Sequence, residues 1–157
     1  MFPKRGRATG EIAGGVILTR RARKTAADVR KTLDEGALAA GKDPAKVEIT
    51  SLLPISVSDD RAAAFDRMRP GLAFYVGFFP RYNRLIAEHG FAKETAAIAE
   101  VFQAGDQAGA AKLVTDAMID ATGIAGTPGE CRDKIEAYRE SGIDLPIVSP
   151  FARGPGA

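Results

Sequence analysis

The densest set of chemical groups in the chain is Thr127-Pro128-Gly129-Glu130-Cys131, where a hydroxyl, a carboxylate and a thiol stand almost side by side. Thr127 can cap the first turn of a helix and Pro128 suits its first position. Glu130, three residues after the cap, can return its carboxylate to the Thr127 amide. With Gly123, Gly126 and Gly129 around it, this helix start leaves amides at a positive helix end, which suits a phosphate or carboxylate. The spacing is neither a phosphate-binding P-loop nor a dinucleotide fingerprint, so an ordinary capped helix start is the stronger of the two readings. A second concentration is aromatic: Phe74, Tyr75, Phe78, Phe79 and Tyr82 lie within nine residues and are five of the eleven aromatics (8 Phe and 3 Tyr). That density exceeds what one helix face can bury. It predicts packing or dimerisation first and substrate contact second, with Arg81 and Tyr82 as the polar members.

The other reactive side chains point to structure. His89, the single histidine, precedes Gly90 at a predicted helix end, where a positive imidazole suits the helix dipole. It lies in no metal-ligand or nucleophile-base spacing. Cys131 falls on the apolar stripe of its helix and reads as packed. Arg20-Arg21-Arg23-Lys24 has no interleaved aromatics and reads as a solvated helix start. No pair of carboxylates stands out.

These groups need elements to hold them. The helix opened by Thr127 carries Cys131, Ile135 and Tyr138 at i, i+4 and i+7 and stops at Gly142. Leu145 to Pro150 then reads as a buried strand. Near the start, Glu11 to Thr19 reads as a helix end, a glycine break and a short buried strand, and Ala26, Val29, Leu33, Ala37 and Ala40 mark a helix from about Lys24 that Gly41 ends. Val47 to Val57 is the second strand. From Asp59 or Asp60, which can cap a helix that Pro70 interrupts, the pattern is helical: Leu72 to Phe79, Arg81 to Glu88, Lys93 to Ala104 and Gln107 to Ala121, with Gly90 and Gly105 as stops and Asp106 as a cap. Residues 1–10 are basic and predicted to be flexible, 11–150 form the domain with a helical insertion over about 60–122, and 151–157 form a Gly/Pro-rich tail.

The totals bound the partners. Of 157 residues, 22 are basic and 20 acidic, a net charge of +2 that is too balanced to call for nucleic acid or an anionic membrane. A hydrophobic share of 45% and a charged share of 27% match a soluble globular domain. A single cysteine excludes an internal disulfide and makes a reducing, cytoplasmic compartment the default. No apolar run reaches the length of a membrane span. About three strands of parallel type with a surplus of helix form an α/β sheet that cannot close on itself, since a closed barrel takes about 250 residues. The pattern is that of part of a larger fold, or of a protomer that completes its sheet with a partner.

In order along the chain, Gly10-Glu11-Ile12-Ala13-Gly14-Gly15-Val16-Ile17-Leu18, Pro54-Ile55-Ser56-Val57-Ser58-Asp59-Asp60, Phe74-Tyr75-Val76-Gly77 with Tyr82-Asn83, Gly90-Phe91, and Gly126-Thr127-Pro128-Gly129-Glu130 through Ser141-Gly142-Ile143-Asp144 resemble one family. It is the luciferase-like flavin- or deazaflavin-dependent oxidoreductases and monooxygenases, on the side of the methylene-tetrahydromethanopterin reductase-like members that use coenzyme F-420. The resemblance implies the C-terminal portion of a (β/α)8 TIM barrel, roughly strands six to eight, with a large helical insertion. It also implies coenzyme F-420, or alternatively FMN, as cofactor, a small organic molecule as substrate, and hydride transfer between the two. The first five strands, which supply most cofactor contacts in the family, have no counterpart here. The chain then closes the barrel and shapes the substrate side. The alternative is a noncatalytic truncated homologue acting as a dimerisation or binding module. A homo-oligomer, or completion by another chain, is the expected assembly. Barrel chemistry gathers at the C-terminal ends of strands, which makes Thr19 and Ser56 candidate cofactor- or substrate-binding residues; Thr127, at a helix start facing the same rim, and Arg81 and Tyr82, the polar members of the aromatic helix, complete the set. For Thr19 and Ser56 the competing reading is that their hydroxyls satisfy local turns.

Overall fold

The computed structural model describes residues 2–20 and 23–150. They form two compact units, one from the described residues of Met1–Leu53 and Lys134–Val148, the other from those of Pro54–Asp133 and Ser149–Ala157.

In the first unit, α1 (Phe2–Ile12) leads into β1 (Gly15–Thr19), α2 (Ala26–Ala39) and the first half of β2 (Glu48–Val57). β1 pairs in parallel with β2, Gly15 opposite Glu48 through Thr19 opposite Leu52. This is the strand-helix-strand unit expected from the pattern. The helix begins at Ala26 and is buried along Val29, Leu33 and Ala37. Residues 2–10 differ from the flexible start expected of them: they belong to a helix that runs to Ile12, and the glycines give the reason. A methyl at Gly10 would overlap the Leu33 carbonyl, and one at Gly36 would overlap the Arg7 carbonyl. Bare glycines therefore let α1 lie backbone to backbone on α2.

The second half of α8 (Pro128–Glu140) and β4 (Leu145–Pro150) return the chain to this unit. β4 pairs with β2. Asp144 ties the join: its amide donates to the Ile49 carbonyl at 2.9 Å, and its Oδ2 accepts from the Ile49 amide at 2.7 Å and from Arg30 Nη2 at 2.5 Å. Arg30 Nη1 donates to the Val47 carbonyl at 2.7 Å, so one guanidinium on α2 holds the residues that lead into β2 and β4. β4 is not the buried strand its sequence predicts, since Leu145 and Val148 are 46% and 43% exposed. Uncovered apolar residues read in sequence like covered ones.

In the second unit the far half of β2 pairs in parallel with β3 (Ile124–Gly126), Ile55 opposite Ile124 and Val57 opposite Gly126. β3 is a fourth strand that the pattern missed because it has only three residues. Between them run α3 (Arg61–Phe78), α4 (Pro80–Ile86), a wide turn over Ala87–Phe91, α5 (Ala92–Gln103), α6 (Gln107–Lys112) and α7 (Asp116–Thr122). Asp60 caps α3, its Oδ1 accepting from the amides of Ala62 at 2.9 Å and Ala63 at 3.2 Å. Pro70 does not interrupt α3 as expected. Phe65 and Met68 before it and Leu72 and Val76 after it lie on one fully buried face, each worth about 2 kcal/mol. That is enough to hold the helix through one lost amide. The last helical patch, in contrast, is split: Thr115 Oγ1 accepts from the Met118 amide at 3.3 Å and starts α7 afresh.

Arg69 fixes that corner. It donates from Nη2 to Asp116 Oδ1 at 2.6 Å, from Nε to Asp66 Oδ1 at 2.8 Å, and from Nη1 to the Val114 carbonyl. The turn before α5 opens at Gly90, whose φ of 104° is left-handed. The expected stops Gly41, Gly105 and Gly142 also have positive φ, at 70°, 92° and 98°.

Candidate functional site

The junction of β3 and α8, with the end of β2 beside it, holds two of the five candidates. Thr127 donates its amide to Glu130 Oε2 at 2.8 Å and its hydroxyl to the same oxygen at 3.0 Å, while the Glu130 amide donates back to Thr127 Oγ1 at 3.4 Å. This is the capping box read from the sequence. Its consequence is chemical, because the anion-binding position at the start of α8 is held by the chain's own carboxylate. The Thr127 amide, then its hydroxyl, and then Arg61, whose Nε lies 3.2 Å from Oε1, hold the Glu130 carboxyl below the usual carboxylate range. Arg61 also lies 3.8 Å from Asp116 and stacks 4.3 Å from the Phe65 ring centroid.

One residue from that junction, Ser56 is opposite Ala125 in the ladder. It is 2% exposed, and its Oγ has no hydrogen-bond partner among the described residues. A buried hydroxyl left unpaired costs about 1–3 kcal/mol. It sets Ser56 apart from a turn-satisfying serine such as Ser58, whose Oγ accepts the Asp60 amide at 3.2 Å. Cys131 lies beside the same strand ends, its Sγ 3.9 Å from the Ser56 carbonyl and 3.6 Å from that of Gly126. It is 3% exposed and packed, as expected.

Arg81 and Tyr82 lie elsewhere in the second unit, at the start of α4. Tyr82 packs edge-on to Tyr75, with ring centroids 5.0 Å apart, and to Phe79 at 5.9 Å. Phe74 stacks on Phe78 at 5.2 Å, and Phe78 is 58% exposed. Among the described residues no hydrogen bond or ion pair joins Arg81 or Tyr82 to Ser56 or Thr127. In the first unit Thr19 is half-buried at the end of β1, opposite Leu52.

The residue after Thr19 is one that sequence reasoning misplaced. Arg20 was expected in a solvated basic cluster. It is 7% exposed, and its φ of 51° is left-handed. A non-glycine residue there costs about 1–2 kcal/mol. The signal was its place at a strand end; the neighbouring basic residues hid it. Arg21 lies outside the described residues. His89 is likewise buried, at 6% exposure, beside the Gly90 break, where a charged helix-end histidine was expected. Among the described residues no group of His, Cys, Asp and Glu could hold a metal ion. No described helix is long and apolar enough to cross a membrane.

Parallel pairing of β1 with β2 and of β2 with β3, with helices between the strands, defines a helix-rich α/β fold. Residues 2–145 match the family described as luciferase-like monooxygenase, and the chain belongs to it. Among curated relatives, a 5,10-methylenetetrahydromethanopterin reductase of Archaeoglobus fulgidus is 29% identical over 98% of this chain and 47% of its own. The same-named protein of Methanolobus tindarius is 31% identical with the same coverage. Among solved structures, the coenzyme F-420-dependent tetrahydromethanopterin reductase of Methanopyrus kandleri superposes with a TM-score of 0.82 at 29% identity, over 98% of this chain and 44% of that one. An F-420-dependent secondary alcohol dehydrogenase has the same fold with a TM-score of 0.67 at 24% identity. The chain thus spans less than half the length of the relatives it matches, and only part of the barrel is present.

Proposed function

We propose that this chain is the C-terminal part of a cytoplasmic oxidoreductase that transfers a hydride between coenzyme F-420, or FMN, and a small organic substrate. The observation that carries the reading is the superposition of nearly the whole chain on an F-420-dependent reductase at 29% identity. Relatives named as F-420-dependent, together with the luciferase-like family, support a deazaflavin or flavin cofactor by resemblance. The cofactor, when bound, supplies the hydride chemistry, and the protein binds, orients and shields.

The residues present fit that role unevenly. Ser56 Oγ, buried and without a partner among the described residues, suits a polar atom of the cofactor or substrate. Thr127 does not fit an anion while Glu130 holds its amide; its proposed part is to fix the rim beside Ser56. Thr19 offers a second hydroxyl at a strand end, and Arg81 with Tyr82 shapes the substrate side along the aromatic helix. The chain's own work is to close the barrel and exclude water from the ring.

A second reading, a noncatalytic homologue acting as a binding module, is favoured by coverage of only 44% of the reductase chain. Fluorescence titration separates the two. Saturable quenching of F-420 or FMN on addition of the purified chain supports the enzyme reading. No quenching at high protein concentration sinks it for this polypeptide and leaves the family assignment standing.

A further inference from the structure

The short helix α4 is tied down by one side chain. α3 ends at Phe78, and its last helical hydrogen bond runs from the Phe79 amide to the Tyr75 carbonyl at 3.2 Å. The next carbonyl, that of Val76, would take its donor from residue 80, and Pro80 has no amide. Val76 is 1% exposed, and a carbonyl shut away from water needs a donor. Asn83 supplies it. Its Nδ2 donates to the Val76 carbonyl at 3.2 Å and, with its second hydrogen, to the Thr95 carbonyl at 3.0 Å. Two carbonyls against one side-chain amide also settle which end of that amide carries the nitrogen.

Asn83 thus joins α4 to the end of α3 and to the start of α5. Apolar burial adds less, since of the seven residues of α4 only Ile86 is buried. Arg81 and Tyr82 are the residues next to this tie. The amides of Tyr82 and Asn83 both donate to the Phe79 carbonyl at 3.0 Å, so the first turn of α4 carries all three residues as one piece. Tyr82 lays its ring edge-on to Tyr75, and Arg81 is exposed. Any tilt of α4 moves both side chains together.

We propose that Asn83 is a positioning residue: it replaces the donor that Pro80 lacks, bridges to α5, and so fixes the direction in which Arg81 and Tyr82 meet a ligand. Asn83 acts through those two side chains. The inference rests on the reading above that Arg81 and Tyr82 shape the ligand side, and its test separates the two.

The chain has three tyrosines and no tryptophan, and Tyr138 is buried, so acrylamide quenching of tyrosine emission reports on Tyr75 and Tyr82 without any cofactor. Asn83→Ala, confirmed folded by circular dichroism, raises that quenching, and Asn83→Gln, which keeps the amide donors, retains most of the protection. Asn83→Asp keeps the shape and loses the donors, so it reads the same contact if Asn83→Ala does not fold. In F-420 or FMN titrations of the same samples, Asn83→Ala weakens binding about tenfold, and adding Arg81→Ala lowers it little further, because the two act as one unit. Tyrosine quenching unchanged by Asn83→Ala overturns the proposal, whatever happens to thermal stability. So does cofactor affinity that Arg81→Ala lowers and Asn83→Ala leaves alone, which makes Asn83 a purely structural tie. Failure of the unmodified chain to bind either cofactor, or affinity indifferent to Arg81→Ala, sinks the ligand reading instead and leaves the tyrosine result to decide whether Asn83 sets the place of Tyr82.

Discussion

Three residues at the end of β2 and the start of α8 differ in how their polar atoms are satisfied. Glu130 and Thr127 satisfy each other, and Ser56 one strand away is buried with its Oγ unpaired. If Ser56 Oγ binds ligand, Ser56→Ala removes one buried hydrogen bond worth about 1.4 kcal/mol, so cofactor affinity by titration falls about tenfold. Thermal stability, relieved of an unpaired hydroxyl, holds or rises. A drop in stability with unchanged affinity would make Ser56 an ordinary core serine. Glu130 predicts differently. Its folded pKa is lowered, first by the Thr127 amide, so its contribution is complete above the ordinary carboxylate pKa and is lost as pH falls through the lowered one. Thermal melts of the unmodified chain and of Glu130→Gln should therefore differ at neutral pH and converge in acid. A gap that persists at the acid end would show that the side chain acts through packing alone.

At the scale of elements, the sequence is most readable where a local hydrogen bond decides the outcome. The Thr127 box, the Asp60 cap and the glycine stops are settled within four residues, and each is where the pattern puts it. It is least readable where a distant surface decides. Gly10 and Gly36 look like flexibility in a one-dimensional reading and are contact points between two helices in three dimensions. Pro70 looks like a break, and the buried face of Phe65, Met68, Leu72 and Val76 overrides it. Ser56 was visible as a candidate from its place at a strand end, but its unpaired hydroxyl was not, since burial and partners depend on β3, a strand too short to leave a pattern. The helix contact is open to a direct test. Gly36→Ala places a methyl on the Arg7 carbonyl, so denaturant unfolding should show a loss of about 2–3 kcal/mol. Ala substitution at Gly41, where a Cβ meets nothing but φ is 70°, should cost about 1 kcal/mol from backbone strain alone. Equal costs at the two sites would mean that α1 does not pack on α2 as closely as the glycines require.

For the whole molecule, the deciding question is whether a chain that holds part of a barrel also holds a cofactor. A species that binds only the folded chain raises its apparent stability by mass action. If the chain holds a deazaflavin or flavin, the melting temperature climbs with cofactor at fixed protein concentration, and Ser56→Ala weakens the response. A melting temperature that ignores cofactor concentration would leave the luciferase-like family assignment untouched and remove this polypeptide, on its own, from catalysis.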